Sequence, residues 1–374
     1  MKVSFQPKPQ SLVNAFLIFF IVHSMQVGVG VQGFQRIIYM EAKHDAWISV
    51  IIGGIATQIV AWVMVKTLRI YDSSDLYGIQ YDIFGKWLGN LLNLFFVLYC
   101  LSAFYVIIRN YIEVIQAWVF PDLPTWFLSL TLILLVGYGL SGGFRTIVGV
   151  SFFSVVGSLW VILLLGFPIQ FSHVEYLFPL FEASIPDLLR GAKQMTFTVL
   201  GFEIIYFAYP FLKEKDKVNK YMQLGMLFTN ILFLVLMVVS LTFFSGGQLE
   251  RTVWGTLSMF KIVRLPFIER FEYVAITYWI ILIIPNLLLY MWAACRGFKR
   301  MFNLNERKVA RYFLVLLFAT IQFPLTRIGI NMANDYFAKA AFYLILCYPP
   351  LLFFIAWIKM KLSKSKEESV NEKS

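Results

Sequence analysis

Charge is scarce in this chain. Only 14% of its 374 residues are Asp, Glu, Lys or Arg, whereas 59% are hydrophobic. Soluble proteins carry about 25% charged residues. A chain so composed cannot cover a water-facing surface, so lipid is its solvent and its backbone polar groups must be satisfied internally. Histidine and cysteine are also rare, at three each. Cys100, Cys295 and Cys347 all lie in apolar runs without metal-binding spacing, and read as small hydrophobic residues. His23, His44 and His173 have no plausible serine or cysteine partner for nucleophilic chemistry, and neither a phosphate loop nor a nucleophile elbow occurs. These absences argue against an enzyme and imply no cofactor and no metal. A formal charge of +11 would suit a nucleic acid, but the basic residues sit in short loops and at the tail, as positive-inside topology requires. No nucleic-acid partner follows.

What is abundant is apolar sequence in lengths of about 20 residues, enough to cross a bilayer as helix. Ten such stretches are expected: 11–32, 46–65, 87–108, 123–142, 146–170, 194–212, 221–244, 273–295, 310–328 and 336–358. The ninth is the weakest, with arginines at 311 and 327. The first is long enough to span and lacks a small-residue cleavage site, so it is not expected to be a removable leader. The tail beyond Lys359 is rich in Lys, Glu and Ser and is expected to lack fixed structure.

With ten spans both termini share a side. Placing them in the cytoplasm puts 21 of the 32 lysines and arginines inside, including the cluster Lys213-Glu214-Lys215-Asp216-Lys217. That arrangement satisfies the positive-inside rule. Residues 1–10 then form a cytoplasmic segment, 11–360 a single transmembrane domain, and 361–374 a cytoplasmic tail. Two long loops on the other side, 172–193 and 246–270, are too apolar for plain linkers. The second can lie along the interface or plug an opening.

Glu203 stands at the midpoint of Gln194–Leu212, a stretch with no other formal charge. A carboxylate at mid-membrane costs roughly 2.5–3.5 kcal/mol on insertion scales, so it faces protein or water and often serves function. Packing through a hydrogen bond to a neighbouring helix is the plainer alternative. Gly201, beside it, weakens the helix by about 1 kcal/mol relative to Ala. Five spans earlier, Gly28-Val29-Gly30 interrupts the first span. Glycine-broken segments at corresponding positions of two halves are the mark of an inverted-repeat transporter, although glycines also permit close helix packing. The expected fold is therefore an all-α polytopic membrane protein: ten transmembrane helices in two inverted five-helix repeats (about 11–170 and 194–358), with helices 1 and 6 interrupted.

Span eight carries Pro285-Asn286 and, one turn on, Tyr290. Pro285 kinks the helix and frees the carbonyl near Ile281, and Asn286 and Tyr290 share a face. They can line a pocket or cross-bond two helices. His23 reads as a helix–helix hydrogen bond more than a ligand. Arg109 and Glu113 are spaced to pair at i+4. Asp72, Asp75 and Asp82 are too loosely spaced for a calcium loop.

Several of these residues resemble one family. Gly201-Phe202-Glu203-Ile204-Ile205, followed by Pro210-Phe211-Leu212 and a lysine-rich loop, is similar to the B subunits of bacterial spore germinant receptors. So are Trp254-Gly255-Thr256-Leu257-Ser258, Phe267-Ile268-Glu269-Arg270-Phe271-Glu272, Gly28-Val29-Gly30 and Asp45-Ala46-Trp47. The likeness runs over about residues 10–360. One departure stands out: the family reads Pro-Arg where this chain has Gln35-Arg36, which touches the local geometry after the first span.

The resemblance implies membership of the amino acid–polyamine–organocation transporter superfamily. It also implies residence in the spore inner membrane beside germinant receptor A and C subunits, and recognition of a small nutrient such as an amino acid, sugar or nucleoside. By superfamily analogy Tyr99 and Ala103 of span three face a central pocket with Gly28, Gly30, Leu200, Gly201, Glu203, Asn286 and Tyr290. Two rival functions remain: a proton-coupled nutrient symporter that uses Glu203 as carrier, and a structural membrane anchor for the receptor.

Overall fold

The computed structural model describes residues 3–266 and 270–371. Phe267, Ile268 and Glu269, the first half of one family-like block, lie outside the described residues. In chain order the α-helices are α1 (Leu17–Gln26), α2 (Phe34–Ala42), α3 (Ala46–Tyr71), α4 (Leu76–Trp118), α5 (Thr125–Ser141), α6 (Gly143–Leu163), α7 (Gly166–Gln170), α8 (Ile185–Gln194), α9 (Thr196–Val199), α10 (Ile205–Ala208), α11 (Val218–Phe243), α12 (Gly246–Arg251), α13 (Gly255–Phe260), α14 (Phe271–Phe302), α15 (Glu306–Ile321), α16 (Arg327–Ala341) and α17 (Tyr348–Asn371). Short 3-10 turns and one π turn, Phe342–Cys347, complete the chain, which is nearly all helix. Among the described residues, six helical stretches are long and apolar enough to cross a membrane, and α1 and α5 are shorter apolar helices. The protein is an integral membrane protein.

Two helical rods are broken near their middles. The first is α1, a gap at residues 27–29, a turn at Gly30–Gln32, then α2. The second is α8 and α9, a gap at Leu200 and Gly201, then Phe202–Ile204 and α10. Both rods outrun the expected apolar windows 11–32 and 194–212. Their extensions, α2 and α8, carry Arg36, Glu41, Asp187 and Arg190, which end an apolar stretch without ending a helix. Ser184 starts α8 with a reciprocal capping box to Asp187, a strong helix-start signal. The loop expected at 172–193 is thus half helix.

Three other expectations change. The stretch after α3 is not an open loop: Asp75 caps α4 by accepting from the Gly78 N–H, and helix continues to a kink at Gly85, whose φ is 75°. Residues 246–266 of the expected 246–270 loop are not a loose apolar surface. Leu249, Leu257, Phe260 and Val263 are buried, and the segment docks on the first broken rod. Last, α17 continues past Lys359 to Asn371; Lys and Glu are good helix formers, and nothing breaks the helix there.

The broken rods lie at the centre. α1 rests against α6, α11 and α14, and α4 runs along α14. The chain around Phe5 and around Lys359 lies at one end of the bundle, here called the terminal end. Phe5 N–H donates to Ser73 O at 2.9 Å, and the Lys359 ammonium meets Asp82 at 2.8 Å. The opposite end holds residues 43–46, 119–124, 172–184 and 246–266.

Candidate functional site

The two breaks touch. Gly201 adopts φ +117°, a left-handed conformation that glycine tolerates at no steric cost. A Cβ there would fall 2.6 Å from backbone atoms of Met25. On the other rod, a Cβ at Gly30 would fall 2.9 Å from the Thr198 Cα. Gln26 ties the gaps together, its Nε2 donating to Val199 O at 2.9 Å. Glycine is required at these positions because one backbone runs against the other.

Glu203 follows the second break and is 1% exposed. Tyr99 of α4 and Tyr290 of α14 donate to its Oε1 at 2.7 and 2.8 Å. The Gly201 N–H donates to Oε2 at 2.7 Å. Both carboxyl oxygens therefore have partners from three different elements, as a buried acid requires. The Tyr99 ring stacks on Phe337 of α16, centroids 5.4 Å apart.

Pro285 acts as its position implies. The carbonyl it leaves free, Ile281 O, accepts instead from the Ser154 hydroxyl of α6 at 2.8 Å. Asn286 Nδ2 donates to Leu282 O at 3.1 Å and to Ser24 O on α1 at 2.8 Å, so it cross-bonds helices as well as facing the gap.

Gly28, Gly30, Ala103, Leu200, Asn286 and Tyr290 line one cavity with Gln26, Thr198, Phe197 and Phe337. Tyr99, Gly201 and Glu203 are joined to it through Tyr290. The cavity measures only about 30 Å³, room for a water or two, given that one water needs about 10–15 Å³ on this measure. An amino acid does not fit until a wall moves. Gln26 Oε1 is buried with no hydrogen-bond partner among the described residues. Sequence reading missed Gln26, Thr198, Phe197 and Phe337. Gln26, a polar residue in an apolar run two positions before Gly28, was the available signal; Phe337 gave none.

Other candidates fall elsewhere. His23 bonds Thr229 of α11 at 2.8 Å between Phe19 and Phe228, a helix–helix link. Arg109 and Glu113 do not pair. Arg109 Nη1 donates to Ile321 O at 3.0 Å, and Glu113 faces Arg327 at 3.6 Å, because the bundle offers each a nearer partner on α15 or α16. Gln35 and Arg36 stitch the first rod to the 246–260 segment: Gln35 Nε2 donates to Thr256 Oγ1 and Arg36 Nε to Glu250 O, both at 2.6 Å. Cys100 and Cys295 are buried and Cys347 exposed, all as free thiols.

At the terminal end Asp75, fully buried, accepts from Arg296 Nη2 at 2.9 Å and lies 3.3 Å from Arg300 Nη2. The Arg296 guanidinium sits 4.0 Å from the Phe5 ring centre and 4.6 Å from that of Phe211. Val13 and residues 211–213 exchange backbone hydrogen bonds. Glu214 Oε2 accepts from the Ala15 N–H at 2.8 Å. That N–H, with the Lys217 and Lys213 charges, holds the Glu214 carboxyl below its usual range. The feet of both broken rods are thereby laced together beneath the cavity.

A bundle centred on two broken rods that cross at a small cavity is the architecture of a secondary transporter. Solved structures share it. MhsT in complex with L-phenylalanine superposes with a TM-score of 0.61 at 15% identity, over 92% of this chain and 88% of that one. A substrate-bound, outward-open Na+-coupled sialic acid symporter gives 0.60 at 12% identity, over 93% and 76%. Identities so low establish the fold alone.

The chain belongs to the spore germination protein family, whose model matches residues 12–329. The spore germination protein GerQB of Bacillus cereus is 33% identical over 352 residues, 94% of this chain and 98% of that protein. Spore germination protein A2 of Bacillus subtilis (strain 168) is 22% identical, over 94% and 97%. This is a permease-like germination family and not an enzyme family.

Proposed function

We propose that this protein is the nutrient-sensing membrane subunit of a spore germinant receptor. A small molecule (amino acid, sugar or nucleoside) binds between the two helix breaks. Gly28, Gly30, Ala103, Leu200, Asn286 and Tyr290 form its wall, and Glu203, Tyr99 and Gly201 brace that wall from behind. The chain crosses the spore inner membrane ten times as two inverted halves, with both termini in the cytoplasm. The observation that carries this reading is the cavity itself. It sits at the contact of two broken helices, where Gln26 Oε1 stands buried without a hydrogen-bond partner among the described residues and Tyr290 links the cavity wall to Glu203. Unwound backbone at mid-membrane is tolerated only where it is enclosed by protein or lines a cavity.

Partner subunits of the A and C type fit the opposite end of the bundle. Phe171, Val174, Phe178, Phe181 and Ile185 are each more than half exposed there, and apolar patches of that kind mark interaction sites.

The test is germination of a strain lacking this gene, complemented with parent or cavity variants, across a panel of amino acids, sugars and nucleosides. A nutrient response that requires this chain, and whose half-maximal dose moves with Asn286 or Tyr290 variants, is expected. Nutrient uptake by proton symport through Glu203 is the second reading, favoured by the fold it shares with solved symporters. Tracer uptake into vesicles separates the two, because a sensor binds without accumulating its ligand.

A further inference from the structure

The central cavity is closed down in this conformation, yet a second space at the end of the bundle opposite the termini is not. It encloses about 480 Å³ and is lined by Arg109 and Glu113 of α4, Gln322, Leu325, Arg327 and the Trp254 ring. That volume lies within the about 300–1,000 Å³ of small-molecule sites. Val106, one turn before Arg109 on α4, lines the central cavity, and so does Phe337, on the same helix as Arg327. The outer space therefore sits directly above the inner one.

Its charge is unbalanced. Arg109 is 7% exposed, its Nη1 bonds only a carbonyl, Ile321 O, and its Nε has no hydrogen-bond partner among the described residues. A buried guanidinium facing a carbonyl and an unfilled donor position is costly unless an anion completes it. The one carboxylate in the wall, Glu113, faces Arg327, whose guanidinium in turn lies 4.8 Å from the Trp254 ring centre. Two cations thus share one acid. Gln322 already donates to Ser129 at 3.0 Å, and Gln116 to Leu123 O at 2.8 Å and to the Thr125 hydroxyl at 3.4 Å. Trp254, Leu325 and neighbouring Ile330 supply an apolar wall.

We propose that this vestibule is a binding site for small organic carboxylates, with the carboxylate on the Arg109 guanidinium and the hydrocarbon body against Trp254 and Leu325. Guanidinium–carboxylate pairing is charge-assisted and directional, and it supplies the anion that Arg109 lacks. The site is separate from the cavity between the helix breaks. It stands whether or not that cavity binds a nutrient, and it does not depend on which face of the membrane is outside.

The test uses the full chain in nanodiscs of zwitterionic lipid, titrated with phenylacetate and, as the uncharged isostere, phenylacetamide, by calorimetry. Saturable phenylacetate binding is expected, with the amide weaker by about ten-fold or more. Arg109→Gln should weaken phenylacetate by a similar factor. Glu113→Gln, which removes the competing acid, should strengthen it several-fold, and this variant decides the matter if Arg109→Gln does not fold. Glu203→Gln, in the inner network, should leave it unaltered. Equal binding of acid and amide overturns the proposal. So does the absence of saturable phenylacetate binding, a Glu113→Gln variant that binds no more tightly than the parent, or loss of binding in Glu203→Gln.

Discussion

Met25 and Gly201 are in direct backbone contact: a methyl group added to Gly201 would begin 2.6 Å from the Met25 carbonyl carbon and oxygen. The two helix interruptions therefore form one structure, and a change in either rod reaches the other through this contact.

Gly201→Ala should be severely destabilising. The φ of +117° imposes strain of about 1–3 kcal/mol on a non-glycine residue, and the clash with Met25 adds to it. Gly149→Ala in α6 is the matched control, since nothing lies within 4 Å of its Cβ position. It should be neutral, or stabilising by up to about 1 kcal/mol through helix propensity. Thermal unfolding of detergent-solubilised protein, followed by size-exclusion recovery, reads both.

Asp75→Asn should cost about 3–5 kcal/mol, the usual penalty for breaking a buried ion pair by removing one partner, because Arg296 and Arg300 both face that carboxylate. Asp75→Asn combined with Arg296→Met should recover part of the loss, since no uncompensated charge then remains at Arg296 and the amide oxygen can still accept from the Gly78 N–H. Melting temperatures of the single and double variants give the coupling.

The lacing of the N-terminal segment should loosen in acid. Glu214 has its pKa lowered by the Ala15 N–H, so its contribution is present above the ordinary carboxyl pKa of about 4.3. It is lost as pH falls through the still lower folded value. Protection of the Ala15 amide, taken relative to its intrinsic exchange rate at each pH, should fall over that acid range in the parent. In Glu214→Gln the same protection should change little with pH.

Asn286→Leu removes the donor to Ser24 O and puts a branched side chain where Asn286 Oδ1 sits 3.3 Å from the Cβ position of Gly28. Tyr290→Phe removes a single hydrogen bond to Glu203, worth about 0.5–1.5 kcal/mol. Both should shift the half-maximal nutrient dose, Asn286→Leu the more, with subunit levels in the spore near those of the parent. Immunoblots and dose–response curves together check this.

Much of the central geometry was legible because it rests on local chemistry. Gly28, Gly30 and Gly201 announce breaks, Glu203 announces a buried polar network, and Pro285 announces a freed carbonyl. What stayed hidden depends on partners far along the chain. Asp75 and Arg296 are 221 residues apart, so nothing near Asp75 signals its role. The outer halves of the broken rods, α2 and α8, carry charges and fall outside any window that scores apolar length. Phe337 enters the cavity wall only because α16 packs on α4, and one phenylalanine among 38 carries no mark of that. Arg109 and Glu113 have the spacing of an ion pair, yet tertiary partners outcompete the local one.

The measurement that bears most directly on a nutrient site between the helix breaks is the dose–response of spores carrying Glu203→Gln, normalised to receptor level in the spore membrane. The amide can keep its oxygen on the Gly201 N–H while the Tyr99 and Tyr290 hydroxyls turn to accept from its nitrogen, so the fold tolerates the change. The acid that organises the cavity wall is nevertheless gone. A rise of about ten-fold or more in the half-maximal nutrient concentration, equivalent to about 1.4 kcal/mol of lost binding, is the predicted result. An unchanged dose at normal receptor level would contradict the account and leave Glu203 as helix packing.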